Sequence, residues 1–131
     1  MLLNIETVIY VHDKILEVSG GLAGIRDESL LASAIERTET TVFGIEKYKT
    51  IHTKAAAILE AIALFHPFID GNKRTAMAAT DFYLFLHDIN LEMTNIEYEE
   101  FMLKVVREKL SVKEIAKWLK DHSEPLTELA G

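Results

Sequence analysis

A single proline sets the layout of the middle of this chain. Upstream of it, IHTKAAAILEAIALF (residues 51–65) is alanine-rich and strongly helix-forming. That helix has to stop at His66, because Pro67 disfavours the helical conformation of the residue before it. NKRTAMAATDFYLFLHD (72–88) then restarts helix and is apolar almost all round from Ala76 through Leu86, the pattern of a central, buried helix. Two apolar helices joined by a short loop must be covered by others, so a packed helical domain follows.

The flanking segments supply the cover. Asn4 is a good N-cap for a helix reaching about Val18, with Ile5, Val8, Ile9, His12, Ile15 and Leu16 on one stripe. SGGLAG breaks it, and Asp27 caps a second helix that buries Leu30, Leu31 and Ala34. Residues 38–50, TETTVFGIEKYKT, surround Gly44 with β-branched residues and an aromatic and carry no helical stripe, which predicts a loop or short hairpin. NIEYEEFMLKVVREKL is amphipathic, with Phe101, Val105 and Val106 inward, and Ser111 with Glu114 forms a capping box for a last helix carrying Ile115, Trp118 and Leu119. The expected fold is all-α, a compact bundle of about six helices with one short β-flap. It forms a single domain over residues 1–122, followed by a loose tail over 123–131.

The loop after Pro67 is chemically unusual. In HPFIDGNKRTA, a helix starts just after Gly71, and its first amides have no internal partner while its dipole places partial positive charge there. Such an end binds anions, and Gly71 allows a phosphate close to the backbone. Lys73 and Arg74 add full positive charge where cations disfavour the helix itself, a cost that a bound phosphate would offset. Asp70 beside this pocket suits Mg²⁺ shared between one carboxylate and substrate oxygens. His66 can take a proton near neutral pH from a hydroxyl attacking phosphorus. Taken singly, each residue has a plainer reading: Asp70 as a cap, His66 as a helix-end histidine, Lys73 and Arg74 as solvated surface. Together they indicate phosphoryl or nucleotidyl transfer to a hydroxyl.

HPFIDGNKRTA resembles the signature of the Fic/Doc superfamily, and most of all its death-on-curing (Doc) branch; GGLAGIRDESLLASAI (20–35) resembles that branch too. The likeness in length and helix order runs over roughly residues 3–122. It implies His66 as catalytic base, Phe68 as buried anchor of the loop, and Asp70 as holder of Mg²⁺ or activator of the acceptor. It further implies Gly71 and Asn72 as an anion hole, Lys73 and Arg74 as nucleotide-phosphate ligands, and a target-clamping flap over residues 40–50. The AMP-transferring pattern of the family has glycine where this chain has Lys73 and a second arginine where it has Met77. Both departures imply Doc-like chemistry: the γ-phosphate of ATP passes to a threonine of elongation factor Tu, translation stops, and a small antitoxin neutralises the toxin. The self-inhibited members carry Ser/Thr-x-x-x-Glu, and no serine or threonine here has glutamate four residues on, so inhibition is expected from another chain. AMP transfer to a protein hydroxyl is the alternative reaction, and a non-catalytic nucleotide- or partner-binding module is the alternative class.

Bulk properties narrow the field further. The chain has 131 residues and a formal net charge of −7, which disfavours nucleic acid and anionic membrane as partners. It has no cysteine, which excludes disulfide and thiolate chemistry. MLLNIETVIY is no secretory signal, and AAAILEAIALF, interrupted by Glu60, is too short to span a bilayer, so a cytoplasmic protein is expected. His12, His52, His87 and His122 have no metal-ligand spacing, and His12 and His87 are expected to pack within their helices. Asp27 reads as a helix cap, and Arg26 is either a surface residue or part of the active-site groove.

Overall fold

The computed structural model describes residues 3–126. Its six α-helices are α1 (Ile5–Ser19), α2 (Glu28–Glu36), α3 (Ile51–Phe65), α4 (Asn72–Leu86), α5 (Asn95–Glu108) and α6 (Val112–Asp121). The starts follow the capping chemistry. Asn4 accepts from the Thr7 amide at 2.8 Å, Asp27 accepts from the Leu30 amide at 3.1 Å, and Thr94–Glu97 and Ser111–Glu114 form reciprocal capping boxes.

The enclosed helix is α3, not α4. Ala55, Ala56, Ala57, Ile58, Leu59, Ala61, Ile62 and Ala63 are all buried, because alanine lets α4 and α6 approach α3 closely. The all-round apolar pattern of residues 76–86 therefore misleads: α4 buries Ala76, Met77, Ala79, Thr80, Tyr83 and Leu84 but leaves Asp81, Phe82 and Phe85 at the surface.

The expected flap is a hairpin of β1 (Thr41–Val42) and β2 (Ile45–Glu46), turning through Phe43 and Gly44 at φ 52° and 78°. Positive φ at both turn residues matches the twist of a two-residue hairpin. Arg37 ties the hairpin base to α3: its guanidinium pairs with Glu60 at 2.9 Å and donates to the Ala57 carbonyl and the Tyr48 hydroxyl. A second sheet was not foreseen. β3 (Ile89–Leu91) pairs antiparallel with β4 (Ser123–Pro125), and the Leu126 amide donates to the Asp88 carbonyl. Residues 123–126, expected to be loose, are thus held by backbone pairing that SEP has no side-chain pattern to announce; residues 127–131 lie outside the described residues. No helix among the described residues is long and apolar enough to cross a membrane.

Candidate active site

The loop between α3 and α4 is held both by bonds of its own and from outside. His66 ends α3 in the left-handed region at φ 51°, a conformation that costs a non-glycine residue about 1 kcal/mol or more. Arg26 grips this corner. Its Nε donates to the His66 carbonyl at 2.7 Å and its Nη2 to the Phe65 carbonyl at 2.6 Å, so it caps the C-terminus of α3, where a cation is favourable. The Arg26 and Asp27 amides both donate to the Pro67 carbonyl, Ile69 donates to the Gly24 carbonyl, and Ile25 forms a β-bridge with Phe68. The second half of GGLAGIRD is therefore a strap across the loop, as well as the helix breaker it reads as in sequence.

Phe68 is buried, as expected of an anchor, and its ring stacks on His12 with centroids 3.8 Å apart. Asn72 opens α4. Its side chain is turned inward and brackets Phe68, accepting from the Phe68 amide at 3.0 Å and donating to the Phe68 carbonyl at 2.9 Å. The Gly71 amide is also engaged, donating to Asp70 Oδ1 at 2.8 Å. The backbone donors left open at the start of α4 are the amides of Asn72, Lys73 and Arg74, which meet no acceptor among the described residues. The open donors at this helix start thus begin at Asn72, one residue after Gly71.

Asp70 is exposed, yet both its oxygens are fixed. Oδ2 accepts from the Leu22 amide at 3.1 Å and Oδ1 from the Gly71 amide, and these two bonds hold its carboxyl below the usual carboxylate range. Gly21 makes room for this: a Cβ there would stand 2.9 Å from Asp70 Oδ2. His66, Asp70, Lys73 and Arg74 all face one open cleft of about 700 Å³, with Arg26 on its wall and Leu16 and Val106 as apolar lining. Lys73 and Arg74 are exposed and form no ion pair among the described residues. They also border a smaller recess of about 120 Å³ against Tyr98 and Met102. Met77 is buried, so its position offers nothing to the cleft.

Of the remaining histidines, His52 contacts Ser123 at 3.2 Å, His87 packs on Tyr83, and His122 stacks on Trp118, all away from the loop. The residue that sequence reasoning passed over is His12. It packs in α1 as expected, but its Nε2 also donates to the Asp70 carbonyl at 2.7 Å. A polar residue on an otherwise aliphatic stripe was the available signal.

The helical core, the motif loop at the start of α4 and the short hairpin packed near α3 define a Fic/Doc-type domain, and the family model described as Fic/DOC matches residues 2–84. The chain belongs to the Fic/Doc family. Among curated proteins it is similar to Toxin Doc of Mycolicibacterium smegmatis, 42% identical over 72 residues, which is 55% of each chain. The chain therefore aligns with about half the length of that relative.

Proposed function

We propose that this protein is the toxin of a type II toxin–antitoxin pair that transfers phosphate from ATP to a Ser/Thr hydroxyl of a translation protein, with elongation factor Tu the suspected target. The observation that carries the reading is convergence: an exposed imidazole, a fixed carboxylate, and two cations and three amides without partners among the described residues line one cleft. The amides of Asn72, Lys73 and Arg74, with the Arg74 guanidinium, hold the terminal phosphate and offset the charge spread over its oxygens. His66 takes the proton of the attacking hydroxyl as its oxygen bonds to the γ-phosphorus. The bond from γ-phosphorus to the bridging oxygen breaks, and ADP leaves.

Mg²⁺ fits this donor set as a shared ion. Among the described residues no three His, Asp or Glu side chains gather into a cage, whereas Asp70 presents one ionised carboxylate to the cleft, each oxygen keeping a lone pair beyond its amide bond. Asp70 would hold the ion, which would supply positive charge against the nucleotide phosphates. The likeness to Toxin Doc and the lack of an internal Ser/Thr-x-x-x-Glu segment support an antitoxin acting in trans.

ATP labelled on the α- or the γ-phosphate tests the reaction. Label reaching protein in a translating lysate from the γ position alone is expected. Lys73 crowds the place of the family's glycine and Met77 is apolar and buried, so the terminal phosphate is the one left to sit at the start of α4. Label from the α position would make the reaction AMP transfer, and no transfer with intact nucleotide binding would make the protein a binding module. Arg74→Ala should weaken Mg²⁺–ATP binding by about tenfold to a hundredfold in calorimetry, the loss of one hydrogen bond to a charged group. Unchanged affinity would move the phosphate elsewhere.

A further inference from the structure

The floor of the loop is a polar side chain where the helix pattern calls for an aliphatic one. His12 lies on the inward stripe of α1, is 1% exposed, and sits face to face with Phe68 at 3.8 Å and 7° between ring planes. A leucine or phenylalanine would fill this space without bringing a polar group into the core, which is costly unless every such group is partnered. His12 is partnered in a particular way. A carbonyl oxygen only accepts, so Nε2 carries a proton and donates it to Asp70 across 58 residues of sequence. The other ring nitrogen lies 3.1 Å from Asp13 Oδ1, at the exposed end of the ring's surroundings. The ring also bounds the loop from below: a Cβ on Gly71 would lie 3.5 Å from His12 Cδ2 and 3.6 Å from Nε2.

Asp70 is consequently held at three points: its carbonyl by His12, Oδ2 by the Leu22 amide, and Oδ1 by the Gly71 amide. The two amide bonds orient the carboxylate relative to the main chain, and the His12 bond orients the main chain relative to the core. Phe68 cannot do the second job, because its stacked ring constrains distance and tilt but leaves sliding in the plane open.

We propose that His12 is a positioning residue for the transfer reaction, whose bond from Nε2 to the Asp70 carbonyl sets where the Asp70 carboxylate and the first amides of α4 point. The proposal rests on the reading of Asp70 as the group that holds the divalent ion.

Three substitutions separate positioning from packing. His12→Gln can place an amide N–H where Nε2 stands, His12→Asn reaches only as far as Nδ1, and His12→Phe keeps the stack without the donor. Hydrogen exchange of residues 66–72 is measured first, on the full chain with neither ATP nor metal. Exchange close to wild type in His12→Gln, and markedly faster in His12→Asn and His12→Phe, is expected. Phosphate transfer is then measured against Mg²⁺ concentration. The half-maximal Mg²⁺ concentration should rise by about 10- to 100-fold in His12→Asn and His12→Phe, the usual cost of losing a residue that orients a ligand, and stay near wild type in His12→Gln. Equal behaviour of the Gln and Asn variants in both measurements overturns the proposal, and this pair decides even if His12→Phe does not fold. Faster exchange with an unchanged Mg²⁺ requirement overturns it too, leaving His12 a purely structural residue. A wild-type protein that binds Mg²⁺–ATP but transfers nothing overturns the reaction itself, while the exchange order still reports the grip of His12 on the loop.

Discussion

His66→Ala is expected to slow phosphate transfer by about 10²- to 10⁴-fold, the contribution of a positioned general base, while nucleotide affinity stays within about twofold. The structure explains why the loss should be confined to the chemical step. The His66 side chain is exposed at the cleft and makes no hydrogen bond among the described residues; the parts of His66 that hold the loop belong to its main chain, whose carbonyl receives Arg26 Nε at 2.7 Å. Alanine keeps that carbonyl and adopts the same left-handed cap at comparable cost. A single-turnover assay with γ-labelled ATP, run beside thermal unfolding, checks both halves. A variant that transfers at the wild-type rate removes His66 from the reaction. One that loses both activity and several degrees of melting temperature makes the side chain structural.

Phe68→Ala is expected to destabilise the protein by about 3–5 kcal/mol, the usual cost of emptying a buried aromatic site, out of about 5–15 kcal/mol available to a domain of this kind. The ring is 1% exposed and stacked on His12, so its removal leaves a cavity directly beneath the loop. The surroundings have little freedom to collapse into it: the Phe68 main chain is bracketed by Asn72 on one side and bridged to Ile25 on the other. Phe68→Leu keeps most of the volume and should cost less than about 1.5 kcal/mol. Denaturant unfolding of both variants checks the pair. Equal stability of the alanine variant and the wild type would mean that the loop is carried by its backbone bonds alone.

The helices could be read from the sequence because their causes are local. Asn4, Asp27 and Ser111 each sit just ahead of an apolar stripe, and each caps the helix that follows. The loop's residue types were equally plain, and His66, Asp70, Lys73 and Arg74 do share a cleft. What the motif cannot convey is direction. Asn72 looks like an anion ligand by type, yet its amide turns inward to Phe68, and the Gly71 N–H that should face a phosphate is taken by its neighbour's carboxylate. Further contacts that hold the loop come from His12, Leu22 and Arg26, between 39 and 58 residues away, and the local pattern hints at most that His12 and Arg26 are unusual, never at what they touch. The same holds for β4, whose partner strand lies on the far side of two helices. The prominence of α4 failed for another reason: hydrophobicity reports what a helix can bury, and α3, built of small residues, is what the others can pack around most closely.

The clamp and the loop it clamps lie on opposite sides of the hairpin tip. His12, Leu22, Gly24 and Arg26 belong to the chain before Phe43, and residues 65–72 to the chain after it. Phe43 is 99% exposed, and a Cβ at Gly44 would meet nothing within 4 Å. Opening the chain there would divide the protein into two fragments, one carrying every side chain proposed to react but only the loop's own internal bonds to arrange them, the other carrying the outer clamp with nothing to react. Activity would then depend on reassociation, which makes the hairpin tip a natural seam for a split, two-component version of the protein.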